Sequence, residues 1–405
     1  MRKPLAGCVL LASACSGSAV LPREPTIELI DGVRTVTNHE PAWPAGKEWR
    51  ISHTPLLEIG VDEGAAGEML TRPRGVAALP SSETLVADGS KQLRVFDDRG
   101  RFIRAFGRPG DGPCEFNEIG VPYVADDGSV AVPDWRTRKV AVFDSAGDCL
   151  VEHSLQHAGE GMTDLAGRLG GGDLVLTNAQ WAWGTPRAEI SWVEADILSI
   201  APGSPDVTHL SRVRQLEWNG AFENLKGASF GSAVARGANV YFTDGEDYTI
   251  TRYDTTGRLE VRMRLVIQPE PITDDDIATY RRAALSWHER RRSPRPPVEI
   301  VDSWHYASSY PAYRTILIDE LGHVWAARQG GFDEWIWHFR DELPDLELAA
   351  SNTWDIYAPD GVWLGSLLLS YDRSPRLVRG NRVYFIGESE AGEARIFVHE
   401  LSRPS

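Results

Sequence analysis

One serine in this sequence lies within a pattern associated with nucleophilic catalysis. Segment 227–231, with Ser229 at its centre, matches the Gly-x-Ser-x-Gly pattern, which places a nucleophile on a sharp turn from a strand into a helix. The residues that follow, 232–235, begin a strand pattern instead of a helix. The sequence therefore favours a glycine-permitted turn ahead of a strand, and we assign no catalytic residue.

The chain's ten histidines form none of the familiar metal-binding motifs. His153 and His157 are four residues apart, a spacing that pairs side chains on a helix but not in a strand-rich stretch. Asp88, Asp134 and Asp244 each end a strand pattern, and we expect each to bond the backbone of its own turn. We therefore assign no metal ligand and expect no cofactor, while calcium or zinc stays open.

The N-terminus predicts export and attachment of a lipid. Residues 1–14 place a basic head before a short apolar stretch that ends in small residues, which is typical of a secretory signal. Segment 12–15 resembles a bacterial lipobox, so Cys15 is the predicted lipid anchor. Segment 5–8 also matches, and Cys8 is the anchor if translation starts further upstream. A soluble export signal or a short buried strand is the alternative interpretation.

Composition excludes several classes of protein. The 405-residue chain is 42% hydrophobic and 25% charged, which is ordinary for a globular protein and argues against wholesale disorder. A net charge of −16 makes nucleic acid an unsuitable partner, because phosphate binding needs a concentrated basic surface. The 38 glycines and 25 prolines favour many short strands joined by turns.

A pattern of four short strands recurs along the chain. The clearest copies share an aromatic residue followed by Asp and, three residues after the Asp, by Gly. The last copy has only three strands. The six copies are, in chain order, 72–107, 122–153, 173–210, 238–264, 315–365 and 375–398. They predict an all-β fold, a six-bladed β-propeller over residues 54–401.

Two further elements complete the predicted architecture. The last copy would expose a sheet edge, and segment 55–60 resembles the missing outer strand, so we expect this N-terminal strand to close the ring. Residues 15–53 are expected to form a linker or extension. The one convincing helix pattern starts with a cap at Thr273 and runs to about Arg292, between blades four and five.

The link at 107–116 carries a family resemblance. It is similar to the Gly-x-Gly-Pro-Gly-Glu-Phe linker of NHL-type six-bladed propeller lipoproteins, and 310–325 is similar to the later blades of that family. The chain departs from the pattern at Cys114, where the family has Gly. The resemblance implies the fold and export, but no general activity. Related propeller enzymes, including lactonases and amidating lyases, hold calcium or zinc at the ring axis.

Cys114 and Cys149 could form a disulfide in the exported protein. Cys149 starts a fourth strand on the face opposite the inter-blade links, whereas Cys114 lies in such a link. A disulfide requires a Cα separation of about 4.4 to 6.8 Å, so the link has to cross the blade. The sequence leaves this pairing open.

The chain's large insertions, 179–188, 268–312 and 328–353, fall on one face of the predicted ring. Insertions on a single face of a repeat protein usually mark its binding side, and aromatic rings with polar edges suit sugars or peptide groups. In the alternative interpretation, these rings only pack the insertions together. The ligand-binding candidates are Trp181, Trp183, Trp287, Trp304, His305, Trp335, Trp337 and His338.

The sequence supports two functional interpretations. The favoured one is a noncatalytic binding or scaffold protein in the bacterial cell envelope, anchored to a membrane by its lipid. Its expected partner is an extracytoplasmic polymer, peptide or protein, and we expect a monomer. The alternative is a metal-dependent hydrolase or lyase, similar to a lactonase, that uses the axial channel; this rests on fold analogy alone.

Overall fold

The structure is a computed structural model, and the part of the chain that it describes is all-β apart from two α-helices, with a propeller-like arrangement of sheets. None of the described helices is long and apolar enough to cross a membrane. The described residues are 24–158, 162–179, 191–218, 225–226, 228–290, 297–329, 353–369 and 374–404.

The strands form antiparallel units of four, which we number in chain order. Unit 1 comprises Gly75–Ala78, Thr84–Asp88, Gln92–Phe96 and Phe102–Phe106. Unit 2 comprises Tyr123–Val124, Val130–Asp134, Lys139–Phe143 and Cys149–Ser154. A 3₁₀-helix, Leu155–Ala158, follows unit 2.

Units 3 and 4 are joined into one sheet through their first strands, where Gly167 pairs with Ala235. A Cβ atom on Gly167 would lie 2.5 Å from the Ala235 carbonyl oxygen, so only glycine allows this approach. Unit 3 comprises Met162–Arg168, Leu174–Ala179, Ser191–Ile200 and Val207–Trp218. Unit 4 comprises Ser232–Arg236, Asn239–Thr243, Thr249–Asp254 and Leu259–Leu265.

Units 5 and 6 follow the helical insertion. Unit 5 comprises Tyr313–Ile318, Val324–Arg328, Thr353–Tyr357 and Trp363–Leu368. Unit 6 has three consecutive strands, Pro375–Arg379, Arg382–Glu388 and Ala394–Ser402. Two short parallel pairs lie outside the units: Arg108–Pro109 with Glu115–Phe116, and Leu225–Lys226 with His305–Tyr306.

The recurring turn explains why the units form locally. In unit 1, the Asp97 carboxylate accepts hydrogen bonds from the backbone N–H groups of Arg99 and Arg101, at 3.0 and 2.8 Å. Gly100 closes the turn with a φ of 78°, which glycine adopts without strain. Asp144 in unit 2 makes the equivalent bonds in its own turn. The repeated sequence pattern is therefore a repeated turn.

The apolar core lies between neighbouring units. Phe116 and Phe143, buried between units 1 and 2, have ring centroids 6.0 Å apart. Each further pair of consecutive units shares a buried apolar cluster, and so do units 6 and 1, where Ile396 and Val76 meet. The first strands contact one another in the same cyclic order. Packing unit against unit thus buries both faces of most sheets.

Residues 26–59, which we call the N-terminal strap, run along the outer edges of three units. The strap begins with a hairpin of Thr26–Ile30 and Val33–Asn38. Its second strand pairs in parallel with Leu259–Leu265, the outer strand of unit 4. Most of this stretch lies in the region predicted as a linker, so that region contributes strands to the sheet.

The strap then passes units 5 and 6. The Ala42 N–H donates to the Trp363 carbonyl oxygen at 3.0 Å, on the outer strand of unit 5. Arg50–Ile51 and Leu57–Ile59 both pair antiparallel with Ala394–Ser402 in unit 6. The strap thereby covers strand edges that would otherwise present unpaired backbone groups.

The insertion between units 4 and 5 contains two helices where the sequence predicted one. Asp274–Arg290 is the predicted helix. Pro297–Asp302 is a second, short helix that the prediction lacked. Its first residue is a proline. Proline suits the first helical position, because the backbone N–H that it lacks would have no acceptor within the helix there. A helix of this length has too few turns to produce a recognisable periodic pattern.

The structure joins Cys114 and Cys149 by a disulfide, with their Cα atoms 6.1 Å apart. The link that carries Cys114 folds along the outer strand of unit 2. The Glu152 carboxylate accepts from the Cys114 N–H at 3.0 Å and pairs with Lys139 at 2.8 Å, while the Lys139 ammonium group donates to the Gly112 carbonyl oxygen at 2.9 Å. The link does cross the unit, as the pairing requires.

Candidate functional site

A capping box sets the position of the long helix in the insertion. The Thr273 hydroxyl accepts from the Asp276 N–H at 3.2 Å, and the Asp276 carboxylate accepts from the Thr273 N–H at 2.8 Å. Asp274 and Asp275 add negative charge to the first turn, where the helix dipole favours it. The helix therefore begins where the sequence predicts it.

A small core of its own holds the insertion together. Tyr280, Ala283 and Ala284 are buried on one side of the long helix and pack against Val301 and Tyr310. Arg281 reinforces the contact by donating to the Val301 carbonyl oxygen at 3.2 Å. The insertion is therefore a packed element and offers a rigid support for the side chains on its surface.

Aromatic side chains of the insertion form a half-exposed cluster, which we call the aromatic cluster: Trp287, His288 and Trp304. The ring centroids of Trp287 and His288 are 4.8 Å apart, and those of His288 and Trp304 are 6.2 Å apart. Trp304 also stacks on buried Tyr280 at 5.5 Å. The neighbouring His305 is exposed. These rings support the insertion core and at the same time present part of their surface to solvent.

The remaining predicted site residues lie outside the described residues. They are the lipid anchor Cys15 and the ligand-binding candidates Trp181, Trp183, Trp335, Trp337 and His338. The three candidates that the structure describes, Trp287, Trp304 and His305, lie together in one insertion.

Ser229 has a structural setting that differs from a nucleophile elbow. It is buried in the link before unit 4, and its N–H donates to the Glu217 carboxylate at 2.8 Å. The next element is the strand Ser232–Arg236 and not a helix. The prediction of a turn ahead of a strand is confirmed.

The repeated aspartates bond the backbone, as predicted. The Asp134 carboxylate accepts from the N–H groups of Asn117, Arg136 and Thr137 at 2.6 to 3.1 Å. Asp88 accepts in the same way at its own turn. Asp244 accepts from the Glu246 N–H at 3.0 Å in its own turn and pairs with Arg214. Asp88 and Asp134 also tie their second strands to the preceding link, so the oxygens of all three carboxylates are already engaged by the fold.

The first strands of all the units line one central cavity with a volume of about 460 Å³. Its walls are largely aliphatic, with Val76, Val124, Val234, Ile316 and Leu377 among the lining residues. The charged lining residues are Asp126, Arg168, Arg236, Glu320, Arg376 and Arg379.

Most of these charges lie at one end of the cavity, where the first strands finish. The Arg168 guanidinium donates to the Ser129 hydroxyl at 2.7 Å, and Arg379 lies 3.8 Å from the Glu320 carboxylate. Burial lowers the pKa of Arg236, and the nearby carboxylates of Asp319, Glu320 and Asp126 partly offset that effect. Opposite charges therefore compensate one another at this end.

Arg376 lies near the other end, at the second residue of its strand. First strands begin at the links between units, so this end of the cavity opens on the same face as the helical insertion. Burial lowers the pKa of Arg376, and the neighbouring positive charge of Arg314 lowers it further. Arg376 nevertheless keeps an exposed side chain and forms no hydrogen bond or ion pair with the described residues.

This lining does not fit a divalent cation. Calcium and zinc are held by several converging carboxylates, or by imidazoles and thiolates, whereas here two carboxylates lie among four arginines. Within the described ranges, no group of three or more His, Cys, Asp or Glu side chains is arranged to hold a metal ion. We therefore assign no chemistry to a metal in this cavity.

The arginines of the cavity were not among the residues predicted from the sequence. A signal for them existed: Arg168, Arg236 and Arg379 each end the first strand of their unit. Alignment of the first strands, instead of the more regular second and third strands, would have shown it. Arg376 has no counterpart at the same register in most copies, so the repeat gives no hint of its role.

Comparisons with known proteins show similarity of fold. No protein-family model matches the chain, and no curated protein matches it in sequence. A Bacteroides fragilis protein described as "Putative exported protein" aligns with a TM-score of 0.51 at 12% identity, over 92% of this chain and 99% of that one. A member of the DUF4221 family from Bacteroides vulgatus aligns with a TM-score of 0.53 at 9% identity, over 88% and 99%.

Proposed function

We propose that this chain is an exported, lipid-anchored β-propeller that binds a partner without catalysing a reaction. In this proposal the units are the six blades of one NHL-like ring, spanning residues 54–401 and closed by Leu57–Ile59. The cyclic contacts of the first strands and the apolar cluster shared by units 6 and 1 support that ring. The pairing of Leu57–Ile59 with Ala394–Ser402 supports its closure.

The proposed location is the bacterial cell envelope, with the lipid on Cys15. The signal-like residues 1–14 motivate this part of the proposal. Two further observations support it. The Bacteroides fragilis protein of the same fold carries the description of an exported protein, and the disulfide between Cys114 and Cys149 suits an oxidising compartment.

The observation that carries the proposed binding role is the aromatic cluster on its rigid support. The buried Tyr280 ring packs against Trp304, with their ring centroids 5.5 Å apart. Trp304 is therefore already held in place, and binding a ligand to its exposed surface costs little side-chain entropy. Tryptophan and histidine rings combine an apolar face with a polar edge. Such a surface suits an extracytoplasmic polymer, peptide or protein.

The charge of the central cavity distinguishes this proposal from a metal-dependent hydrolase or lyase. A catalytic metal in the cavity would have to approach Arg168, Arg236 and Arg379 at its far end, or Arg376 at the other. Repulsion between like charges opposes such binding. The cavity therefore favours the binding role over the lactonase-like alternative.

Tryptophan fluorescence tests the proposal directly. The purified protein is titrated with peptidoglycan fragments, glucan oligosaccharides and unfolded peptides. We expect one of these classes to quench the emission, and Trp287→Ala and His305→Ala to weaken its binding. Trp192→Ala, a change in the third strand of unit 3, is the matched control.

Circular dichroism shows whether the helices of the insertion survive in each variant. Binding that is unchanged in both insertion variants contradicts the assignment of this surface. If the protein hydrolyses a lactone only when calcium or zinc is added, that result supports the enzymatic alternative instead.

A further inference from the structure

Arg376 has an unusual position for a charged side chain. Arg376 lines the central cavity and is exposed, yet none of the described residues forms a hydrogen bond or an ion pair with it. The like charge of Arg314 lies close enough to lower the pKa of Arg376. An exposed cation without a protein partner is available to a ligand that enters the cavity, and the nearby like charge favours an anion there.

The guanidinium group specifies which ligand would compensate it. Arginine presents a planar set of N–H donors that matches the two oxygens of a carboxylate or a phosphate. The other three arginines of the lining already have protein partners or nearby carboxylates. Among the lining arginines, Arg376 is the one with neither a hydrogen-bond partner nor a nearby carboxylate among the described residues.

The net charge of the protein does not prevent an anion from entering. The chain carries −16 overall, but at physiological ionic strength interactions between exposed charges fade beyond about 8 Å. A ligand in the cavity would lie beside Arg376, which lines it, and the energy of a charge pair rises as the separation falls. Local positive charge therefore decides which ion enters.

The size and walls of the cavity indicate a small organic ligand. Its volume of about 460 Å³ lies within the range of roughly 300 to 1,000 Å³ that is typical of small-molecule sites. The aliphatic walls of the first strands suit an apolar body next to the anionic group.

We propose that the central cavity binds a small organic oxyanion, a carboxylate or a phosphate, and that Arg376 is the residue that pairs with it. This site is separate from the aromatic cluster and does not depend on what that cluster binds. Both open on the same face of the molecule.

Isothermal titration calorimetry with matched probes tests the proposal. Benzoate and phenyl phosphate carry the two anionic groups on the same ring, benzamide is the neutral counterpart of benzoate, and inorganic phosphate lacks an organic body. We expect benzoate or phenyl phosphate to bind and benzamide not to bind. Whichever anion binds identifies the preferred group.

Three variants assign the binding to Arg376. We expect Arg376→Gln to weaken binding by roughly ten- to a hundredfold, because it removes a charge-assisted hydrogen bond. Arg376→Lys should retain part of the affinity, since it keeps the charge but loses the planar donors. Arg99→Gln removes the same charge from an exposed turn and should leave binding unchanged.

Thermal unfolding without ligand separates a binding role from a structural one. Arg376→Gln should unfold at the same temperature as the unmodified protein or a higher one, because repulsion from Arg314 is relieved. A lower unfolding temperature would overturn the proposal. So would equal binding of benzamide, unchanged affinity in Arg376→Gln, or binding of inorganic phosphate alone.

Discussion

Asn38 and Trp363 lie on different sheets, and the buried Asn38 carboxamide connects those sheets. Its oxygen accepts from the Trp363 N–H at 2.8 Å. Its nitrogen donates to the carbonyl oxygens of Arg264 and Gly361, each at 3.1 Å. One side chain of the N-terminal strap therefore joins the outer strand of unit 4 to that of unit 5.

Asn38→Ala should lower the free energy of unfolding by about 1 to 3 kcal/mol, because it leaves buried backbone groups without partners. Urea denaturation measures the change. Asn117→Ala is the control, since the Asn117 amide bonds Asp111 at the surface, and it should have a smaller effect. Equal losses in the two variants would show that Asn38 does not connect the units.

Ile59→Ala should lower the free energy of unfolding by about 2 to 5 kcal/mol, the usual cost of removing a large aliphatic side chain from a core. Ile59 is fully buried and pairs with Ile396 in unit 6. Leu56 is 54% exposed, so Leu56→Ala serves as the control in the same denaturation experiment. Similar small effects for both changes would refute closure of the ring by this segment.

Breaking the disulfide should destabilise the protein by roughly 3 to 4 kcal/mol, as the chain-entropy model gives for a loop of this length. Cys114 and Cys149 are separated by 35 residues in sequence. Cys114→Ser, Cys149→Ser and the double variant should lose equal amounts of stability, because each removes the same bond. Additive losses, or no linked peptide in an unreduced digest, contradict the bond.

Stability should fall as the pH drops below the value at which an unfolded histidine titrates, about 6.5. Burial lowers the pKa of His153, so the unfolded chain binds this proton more readily than the folded protein and is favoured on acidification. His153→Gln should reduce the loss of stability between pH 7.5 and 5.5, measured by urea denaturation. The exposed His305 provides the control His305→Gln; equal effects of both changes would contradict the assignment.

Palmitate label should enter the protein through Cys15 when the chain is expressed in a bacterium. Cys15→Ala should abolish the label and release the protein from the membrane fraction, because the acyl chains are its proposed anchor. Cys8→Ala is the matched control and should keep the label. Label that persists in Cys15→Ala places the anchor elsewhere.

The sequence alone predicted those parts of the fold that local chemistry determines. The Asp97 and Asp144 turns could be identified because the carboxylate, the bonded N–H groups and the glycine lie within a few residues of one another. The cap between Thr273 and Asp276 is local for the same reason. These short patterns predicted the all-β class, the repeated strands and the long helix.

The aromatic insertion was predictable in part. Its position after unit 4 and its content of Trp287, Trp304 and His305 follow from the sequence. The sequence could not predict whether the rings pack on a core or stay exposed, because that depends on how Tyr280 and Tyr310 pack against them. The structure shows that the rings pack on this core and leave part of their surface exposed.

Only the tertiary structure decided the course of the strap, the disulfide and the charge of the cavity. Asn38 and Trp363 are 325 positions apart, and nothing near either residue specifies the other. Arg376 became a candidate only when the first strands of all units surrounded one cavity. The physical reason is that turns and caps arise from neighbours along the chain, whereas strand edges, links and cavity charges acquire their partners only when distant units pack together.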